Sequence, residues 1–345
     1  MTFWHGCAHI AGLYPIRSGD FLTYGAGLVK GLGFRTIKLE LSVAYETIKY
    51  IGQTFSSSSL PTLTALAQET GFDAIFSDSG FDRVVLTCFS IADPTNNSWN
   101  GKWTKAIGDT QENEMYDLAN FLLSTYSGKE FIIQNWEGDW QLLNSFNPHD
   151  PIPRTHLYAY RDFHRRRIRA VKKAITDNPS STSTIKYMME LNRGLDGWGE
   201  RVLRSVLTNI KPDIVSFSAY EAIEGWHGSL SQSAFEADIE TKLTKLYNKT
   251  RAIIGPTIPI VIGEYGWPID RPEFSGLSYN VGNLWLKVIT VATALGIVGH
   301  IPWQILDNEE QSPGVPNGFA MYNRNGNSST VGSLNASGAF FSSYL

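Results

Sequence analysis

A chain of 345 residues with 42% hydrophobic and 18% charged residues can bury a large core, and its length fits two ordinary domains or one α/β barrel. A net charge of −4 argues against nucleic acid as the main partner, and no apolar run is long enough to span a bilayer. Two cysteines, Cys7 and Cys88, supply no disulfide framework; both lie in apolar runs and read as buried free thiols. The opening Met1-Thr2-Phe3-Trp4-His5 is not a signal peptide, so the expected compartment is cytoplasmic, or secreted or periplasmic if a signal was removed. Short Asn-x-Ser/Thr patterns at Asn96, Asn248, Asn327 and Asn335 carry no weight on that point.

Taken in chain order, Thr2 to Ala8 reads as strand 1. Residues 19–32 carry Phe21, Tyr24, Leu28 and Leu32 at helical spacing, stopped by Gly33. Arg35 to Ser42 alternates with period two as strand 2. Helices are expected over 43–51 and over 61–70, the second opened by Pro61 and closed by Gly71. Arg83 to Phe89 is strand 3. A polar loop runs from Ala92 to Asp109, a helix over 111–126 and strand 4 over 130–137. A long helix over 157–176 precedes strand 5, Thr184 to Asn192. A helix near 199–209 leads to strand 6, Asp213 to Tyr220. A helix over 233–252, strand 7 over 259–264, a helix over 278–295 and strand 8, Val298 to Gln304, complete the series. A hairpin near Asn323 to Asn327 and a closing helix from about Asn335 form a tail at about 309–345.

Eight strands that alternate with helices imply parallel βαβ units. The expected architecture is an α/β fold, a single (β/α)8 TIM barrel covering 1–345, with its site at the C-terminal ends of the strands. A doubly wound sheet is the rival, but no Gly-x-Gly-x-x-Gly follows the first strand.

Polar and aromatic residues collect at those strand ends. His5 and His9 are grouped with the end of strand 1, Glu40 and Ser42 end strand 2, Asn135 and Glu137 end strand 4, and Glu190 and Asn192 end strand 5. Tyr220 and Glu221 end strand 6, Glu264 ends strand 7, and Trp303 and Gln304 end strand 8. Eight of the ten tryptophans, among them Trp136, Trp140, Trp226, Trp267 and Trp303, fall at these ends or in the loops beyond. Two carboxylates across a cleft walled by indoles suit sugar chemistry, because pyranose C–H faces stack on aromatic rings and hydroxyls need carboxylates and amides. Cleaving a glycosidic bond takes one carboxylic acid to protonate the leaving oxygen and one carboxylate to attack or to activate water.

On these residues the chain resembles clan A of the glycoside hydrolases, retaining enzymes on a (β/α)8 barrel. The resemblance implies Glu137 as acid/base at the end of strand 4 and Glu264 as nucleophile at the end of strand 7. It also implies Tyr220 as the phenol that orients the nucleophile and Trp303 as the floor of the sugar site. The clan usually sets Asn directly before the acid; here Trp136 stands between Asn135 and Glu137. On a regular strand 135 and 137 share a face, so Asn135 is expected to reach the sugar, with Asp139 an alternative acid. Further expected contacts are Trp136, Trp140, Glu190, Asn192, Trp226, Trp267 and His5. The partner is a poly- or oligosaccharide, without cofactor or metal; the sequence leaves the oligomeric state unknown.

Plainer roles stand beside these. A lone Glu at a strand end is as often a salt bridge or cap. Lys38 and Glu40 share a strand face and are expected to pair with each other. The run His164 to Arg169 reads as the solvated face of a helix whose apolar stripe is Leu157, Tyr160, Ile168, Val171 and Ile175. Two rival functions remain: a metal-dependent sugar isomerase or epimerase using Glu137, Glu190 and Glu264 as ligands, and a non-catalytic carbohydrate-binding barrel.

Overall fold

The computed structural model describes residues 3–10, 21–43, 50, 53–93, 101–143, 145–147, 149–195, 201–225, 230–307, 310–312, 315–316, 318–324 and 331–345. Eight parallel strands close into a barrel in sequence order: β1 (Trp4–Ala8), β2 (Thr36–Leu41), β3 (Arg83–Cys88), β4 (Glu130–Gln134), β5 (Thr184–Leu191), β6 (Ile214–Ser218), β7 (Ile260–Tyr265) and β8 (Gly299–Pro302). The seam closes through parallel pairing of Trp4 with Gly299 and of His5 with His300.

The barrel interior is layered. Ala8, Val85, Ile132, Met188, Ile214, Val261 and Ile301 form an apolar plug. One pleat toward the strand C-termini stand Glu40, Thr87 and Gln134, register partners on β2, β3 and β4, and then Glu190 paired with Ser216. These polar side chains are all nearly solvent-free. Buried polar groups in that number are costly unless they serve each other or a ligand.

Around the barrel lie α1 (Phe21–Gly31), α2 (Leu63–Ala67), α3 (Thr70–Ser77), α4 (Lys105–Thr125), α5 (Gly138–Leu143), α6 (Arg154–Asp177), a π-helical turn (Val202–Val206), α7 (Tyr220–Ile223), α8 (Gln232–Ile254), α9 (Pro272–Ser275), α10 (Val281–Leu295) and α11 (Ala336–Tyr344). Their buried faces make the second, larger core against the outer side of the strands. Side-chain caps set several starts: Thr62, Thr104, Ser231, Asn280 and Asn335 each accept a first-turn amide, worth about 1 kcal/mol apiece. Strands Tyr322–Arg324 and Val331–Leu334 pair antiparallel ahead of α11. No helix among the described residues is long and apolar enough to cross a bilayer.

Several elements depart from the expected bounds. The helix expected over 61–70 is two helices, and Gly71 lies inside the second. Its missing Cβ lets that helix approach α1; an added one would sit 3.0 Å from Leu22. The helix after the polar loop starts at Lys105 because Thr104 caps it. The expected helix over 43–51 lies largely outside the described residues. The basic run on α6 is a solvated face only in part, at Arg165 and Arg169. His164, Arg166 and Arg167 are buried, Arg167 donating to the Cys88 carbonyl at 2.9 Å and stacking on Phe163, and Arg166 pairing with Asp109, Asp162 and Glu112. Ile175, assigned to the apolar stripe, is exposed. Cys7 and Cys88 are both buried free thiols.

Candidate active site

Glu264 owes its aim to a local irregularity. In the β6–β7 ladder Phe217 pairs with Ile262 but Ser218 pairs with Glu264, so Gly263 is the extra residue of a bulge. A bulge of this kind re-aims the next side chain. Gly263 is required there: a Cβ would lie 1.9 Å from Ser216 Oγ and 2.5 Å from Glu190 Oε2. The re-aimed Glu264 is buried, its Oε2 3.3 Å from Lys38 Nζ, and its Oε1 accepts from the Tyr220 hydroxyl at 3.3 Å.

Strand β4 ends at Gln134, three residues before Glu137, which sits in the turn that opens α5. Asn135 and Glu137 therefore do not continue the pleat. Asn135 is fully buried, its Nδ2 donating to the carbonyls of Trp136 at 2.8 Å and Glu190 at 3.3 Å, while its Oδ1 accepts from Glu190 N at 3.1 Å. It ties the turn to β5 beneath the mouth. Asp139 is likewise consumed: Oδ1 accepts from Val202 N at 2.9 Å and Oδ2 from the amides of Asn192 and Arg193 at 3.0 and 3.1 Å. Asn192 Oδ1 in turn accepts from Asp139 N at 2.9 Å. Three backbone donors thus hold the Asp139 carboxyl against the end of β5 and the π-helical turn.

Glu137 reaches across to β6, where Ser218 Oγ donates to its Oε1 at 2.5 Å. Ser218 thus touches one glutamate through its side chain and neighbours the other through its backbone. Burial pushes the Glu137 carboxyl up to about 7; the Ser218 hydroxyl pulls it back, and the charge of Glu190 pushes further. The opposite balance holds at Lys38. Burial disfavours its ammonium, but Glu190 and Glu264 outweigh burial and bind its proton more firmly than an ordinary lysine's. Lys38 Nζ stands 3.5 Å from Glu190 Oε2, and Ser216 Oγ donates to that same oxygen at 3.0 Å. The expected Lys38–Glu40 pair is replaced by this bridge across the barrel.

The mouth therefore gathers Glu137, Glu264, Glu190, Tyr220 and Trp303. Tyr220 begins α7 rather than ending β6, half-buried and edge-on to Phe319 at 5.9 Å. Trp303 is half-buried over the apolar plug. Trp136 and Trp140 are half-buried on the α5 side. Trp226 lies outside the described residues. Two expected contacts go elsewhere. Trp267 is 1% exposed, its indole bonded to the Ile223 carbonyl and packed on Trp285 and Tyr265, so it is core. His5 sits near the start of β1, on the strand face opposite the plug. Its Nδ1 is 2.7 Å from His300 Nε2, and His300 Nδ1 is 2.5 Å from the Tyr265 hydroxyl. This chain lies behind the barrel wall, away from the mouth.

Sequence reasoning passed over Ser216 and Ser218 as site residues and did not pair Lys38 with Glu264. Alternation on β6 marks both serines as inward-facing beside two glutamates, the one signal that was available.

No family model and no curated protein matches the chain. Solved structures do resemble it. The family 5 xyloglucanase from Paenibacillus pabuli, solved with ligand, is 14% identical with a TM-score of 0.56, over 99% of this chain and 96% of its own. A glycoside hydrolase family 5 enzyme from Prevotella bryantii is 12% identical with a TM-score of 0.57, over 99% and 95%. A β-glycosidase is 13% identical with a TM-score of 0.61, over 99% and 95%. At such identity the likeness is one of fold, and it agrees with the closed eight-stranded barrel.

Proposed function

We propose that this chain is a retaining glycoside hydrolase acting on a poly- or oligosaccharide, with Glu137 as acid/base and Glu264 as nucleophile. One observation carries the reading. Ser218 bonds to Glu137 while pairing along the backbone with Glu264, which brings two differently treated carboxyls to one mouth. Glu137 is crowded into holding a proton near pH 7, while Glu264 lies 3.3 Å from the Lys38 ammonium and accepts from the Tyr220 hydroxyl. Two carboxyls whose surroundings push their protonation apart are the usual mark of an acid and a nucleophile.

In the first step Glu137 gives its proton to the glycosidic oxygen, which departs as the hydroxyl of the leaving sugar. Glu264 forms a bond to the anomeric carbon as the glycosidic bond breaks. In the second step Glu137, now a carboxylate, takes a proton from water. The water oxygen bonds to the anomeric carbon and releases Glu264, restoring both groups with net retention. The similar xyloglucanase and a further similar structure solved with cellotriose support a carbohydrate substrate. The Lys38 ammonium between Glu190 and Glu264 disfavours the isomerase alternative, because it stands where a divalent ion would need both carboxylates.

A hydrolysis screen over a broad glycan panel, followed by proton NMR of the first-formed anomer, tests the reading. Retained configuration in the wild type and no turnover by Glu264→Gln are expected. Inversion, or a fully active variant, overturns it.

A further inference from the structure

Tyr160 falls on the apolar stripe of α6 by its spacing, yet its hydroxyl is engaged at two points on the segment that carries Glu137. Asn135 Nδ2, two residues before Glu137, donates to that hydroxyl at 3.4 Å. The hydroxyl in turn donates to Gln141 Oε1 at 3.0 Å, and Gln141 N donates to the Glu137 carbonyl at 3.0 Å. Glu137 therefore lies inside a loop whose two ends meet on one oxygen. Gly138, the residue after it, lets the backbone lie close: an added Cβ would stand 2.4 Å from the Glu190 carbonyl oxygen and 3.2 Å from the Tyr160 hydroxyl. The oxygen itself is anchored. Tyr160 is fully buried, its ring stacked on Phe163 at 5.8 Å and edge-on to His164 at 4.4 Å, and His164 bonds to the Tyr187 hydroxyl of β5 at 2.8 Å. A phenylalanine would fill the same space without burying a hydroxyl, which costs free energy unless it is hydrogen-bonded. Burial pushes the Tyr160 phenol up, so it stays protonated and able to donate.

We propose that Tyr160 is a positioning residue for the proton donor: its hydroxyl ties Asn135 to Gln141 across the turn that opens α5 and so fixes where the Glu137 carboxyl points. The inference rests on the hydrolase reading for the donor's task. Tyr160 is closed to solvent and acts through Asn135 and Gln141, not on the substrate. The bonds to Asp139 hold the same turn against the end of β5 and Val202, and Tyr160 holds it from α6. Supporting residues must keep a reacting group within about 0.5 Å of its productive place, and a displacement of about 1 Å costs up to about 10²-fold in rate.

Tyr160→Phe removes the hydroxyl and keeps the ring. Gln141→Leu cuts the same tie from its other end, so a folding defect in one variant leaves the other to report. Whichever oligosaccharide the wild type cleaves is compared with the glycosyl fluoride of the same donor sugar, whose leaving group departs without a proton. Both variants should lose about 10–10²-fold in kcat/KM on the oligosaccharide and far less on the fluoride. Equal losses on the two substrates, or no loss on either, overturn the proposal. Carbon-13 NMR of the glutamate carboxyls, with Glu137 assigned through Glu137→Gln, gives a readout that needs no turnover. Ser218, Glu190, Lys38 and Asp139, which act on the Glu137 carboxyl, are intact in both variants, so a moved titration reports a moved carboxyl. It should fall from about 7 toward the ordinary carboxylate range as the turn loosens and admits water. If the wild type cleaves nothing, the hydrolase reading fails and the titration alone decides. A fall in both variants then keeps Tyr160 as the residue that places Glu137, and an unmoved or raised titration removes it.

Discussion

Ser218 donates to Glu137 at 2.5 Å from a strand position that is the register partner of Glu264. One residue thus bonds to the Glu137 carboxyl through its hydroxyl and is the strand neighbour of Glu264 through its backbone. Its effect is to favour the charged form of Glu137 against the burial that favours the neutral one.

Ser218→Ala should raise the Glu137 carboxyl above its present value of about 7. A hydrogen bond to a charged group is worth about 1.5–3 kcal/mol, so the shift is about one to two pH units. The acid works only while protonated, and activity falls as pH rises through its pKa. The alkaline limb of kcat/KM should therefore move to higher pH in the variant. A limb that stays put, or moves down, removes Ser218 from that role.

Glu137 also taxes the fold. Its carboxyl titrates at about 7 in the native protein against an ordinary 4.5. Between those values the native state holds a proton that the unfolded chain has lost, so stability is greatest below pH 4.5 and declines as pH rises toward 7. Glu137→Gln removes that loss. Urea titration at pH 8 should find it more stable than wild type by about 1–3 kcal/mol, while kcat on unactivated substrates drops about 10²–10⁴-fold. A less stable variant would contradict the desolvation account.

Lys38→Met should do the reverse. It leaves Glu190 and Glu264 buried side by side without their shared cation. Breaking a buried ion pair from one side costs about 3–5 kcal/mol, read as a lower urea midpoint at pH 7. Turnover should fall with it, since Glu264 would then gain from holding a proton. A Lys38→Met protein as stable and as active as wild type would show that the bridge carries neither burden.

His9 gives a signature in acid. Burial pushes its imidazole down to about 4, against an ordinary 6.5, although the Leu22 carbonyl 3.0 Å from Nε2 opposes this. The unfolded chain takes up a proton below 6.5 that the native state refuses. Stability is full above 6.5 and declines as pH falls toward 4, by up to about 3 kcal/mol. His9→Gln should flatten the urea-derived stability profile across that window by the slope of one proton. An unchanged slope would mean that the imidazole is not held neutral.

Much of the frame is readable from residue order because each barrel strand is a short β-branched run closed by a change of chemistry. Glu264 and Trp303 stand where β7 and β8 give way to the mouth. What eluded the sequence depends on geometry between distant segments. Lys38 shares a strand face with Glu40, yet it pairs with Glu264, 226 positions on, because the barrel closes. The β7 bulge leaves no mark beyond one glycine, Gly263, in a strand that is followed by another, Gly266. Trp267 looks like a rim indole and is core, since α10 brings Trp285 to within 4.7 Å of its ring centre. His5 is grouped with the strand-end residues through its nearness to His9, yet it is the second residue of β1, which runs to Ala8. Asn135 and Asp139 look like chemistry because buried polar side chains do, and both bond to backbone groups of β5 and the residues just after it.

The three amides that Asp139 accepts divide the segment after β4 into two parts with different freedoms. Up to Asp139, the chain is stitched to the end of β5 and to Val202, so Glu137 keeps its place whatever follows Leu143. Phe146, beyond Leu143, lies outside that stitching and is 74% exposed, so its side chain can be exchanged while Glu137 stays aligned, and the two positions can be varied independently.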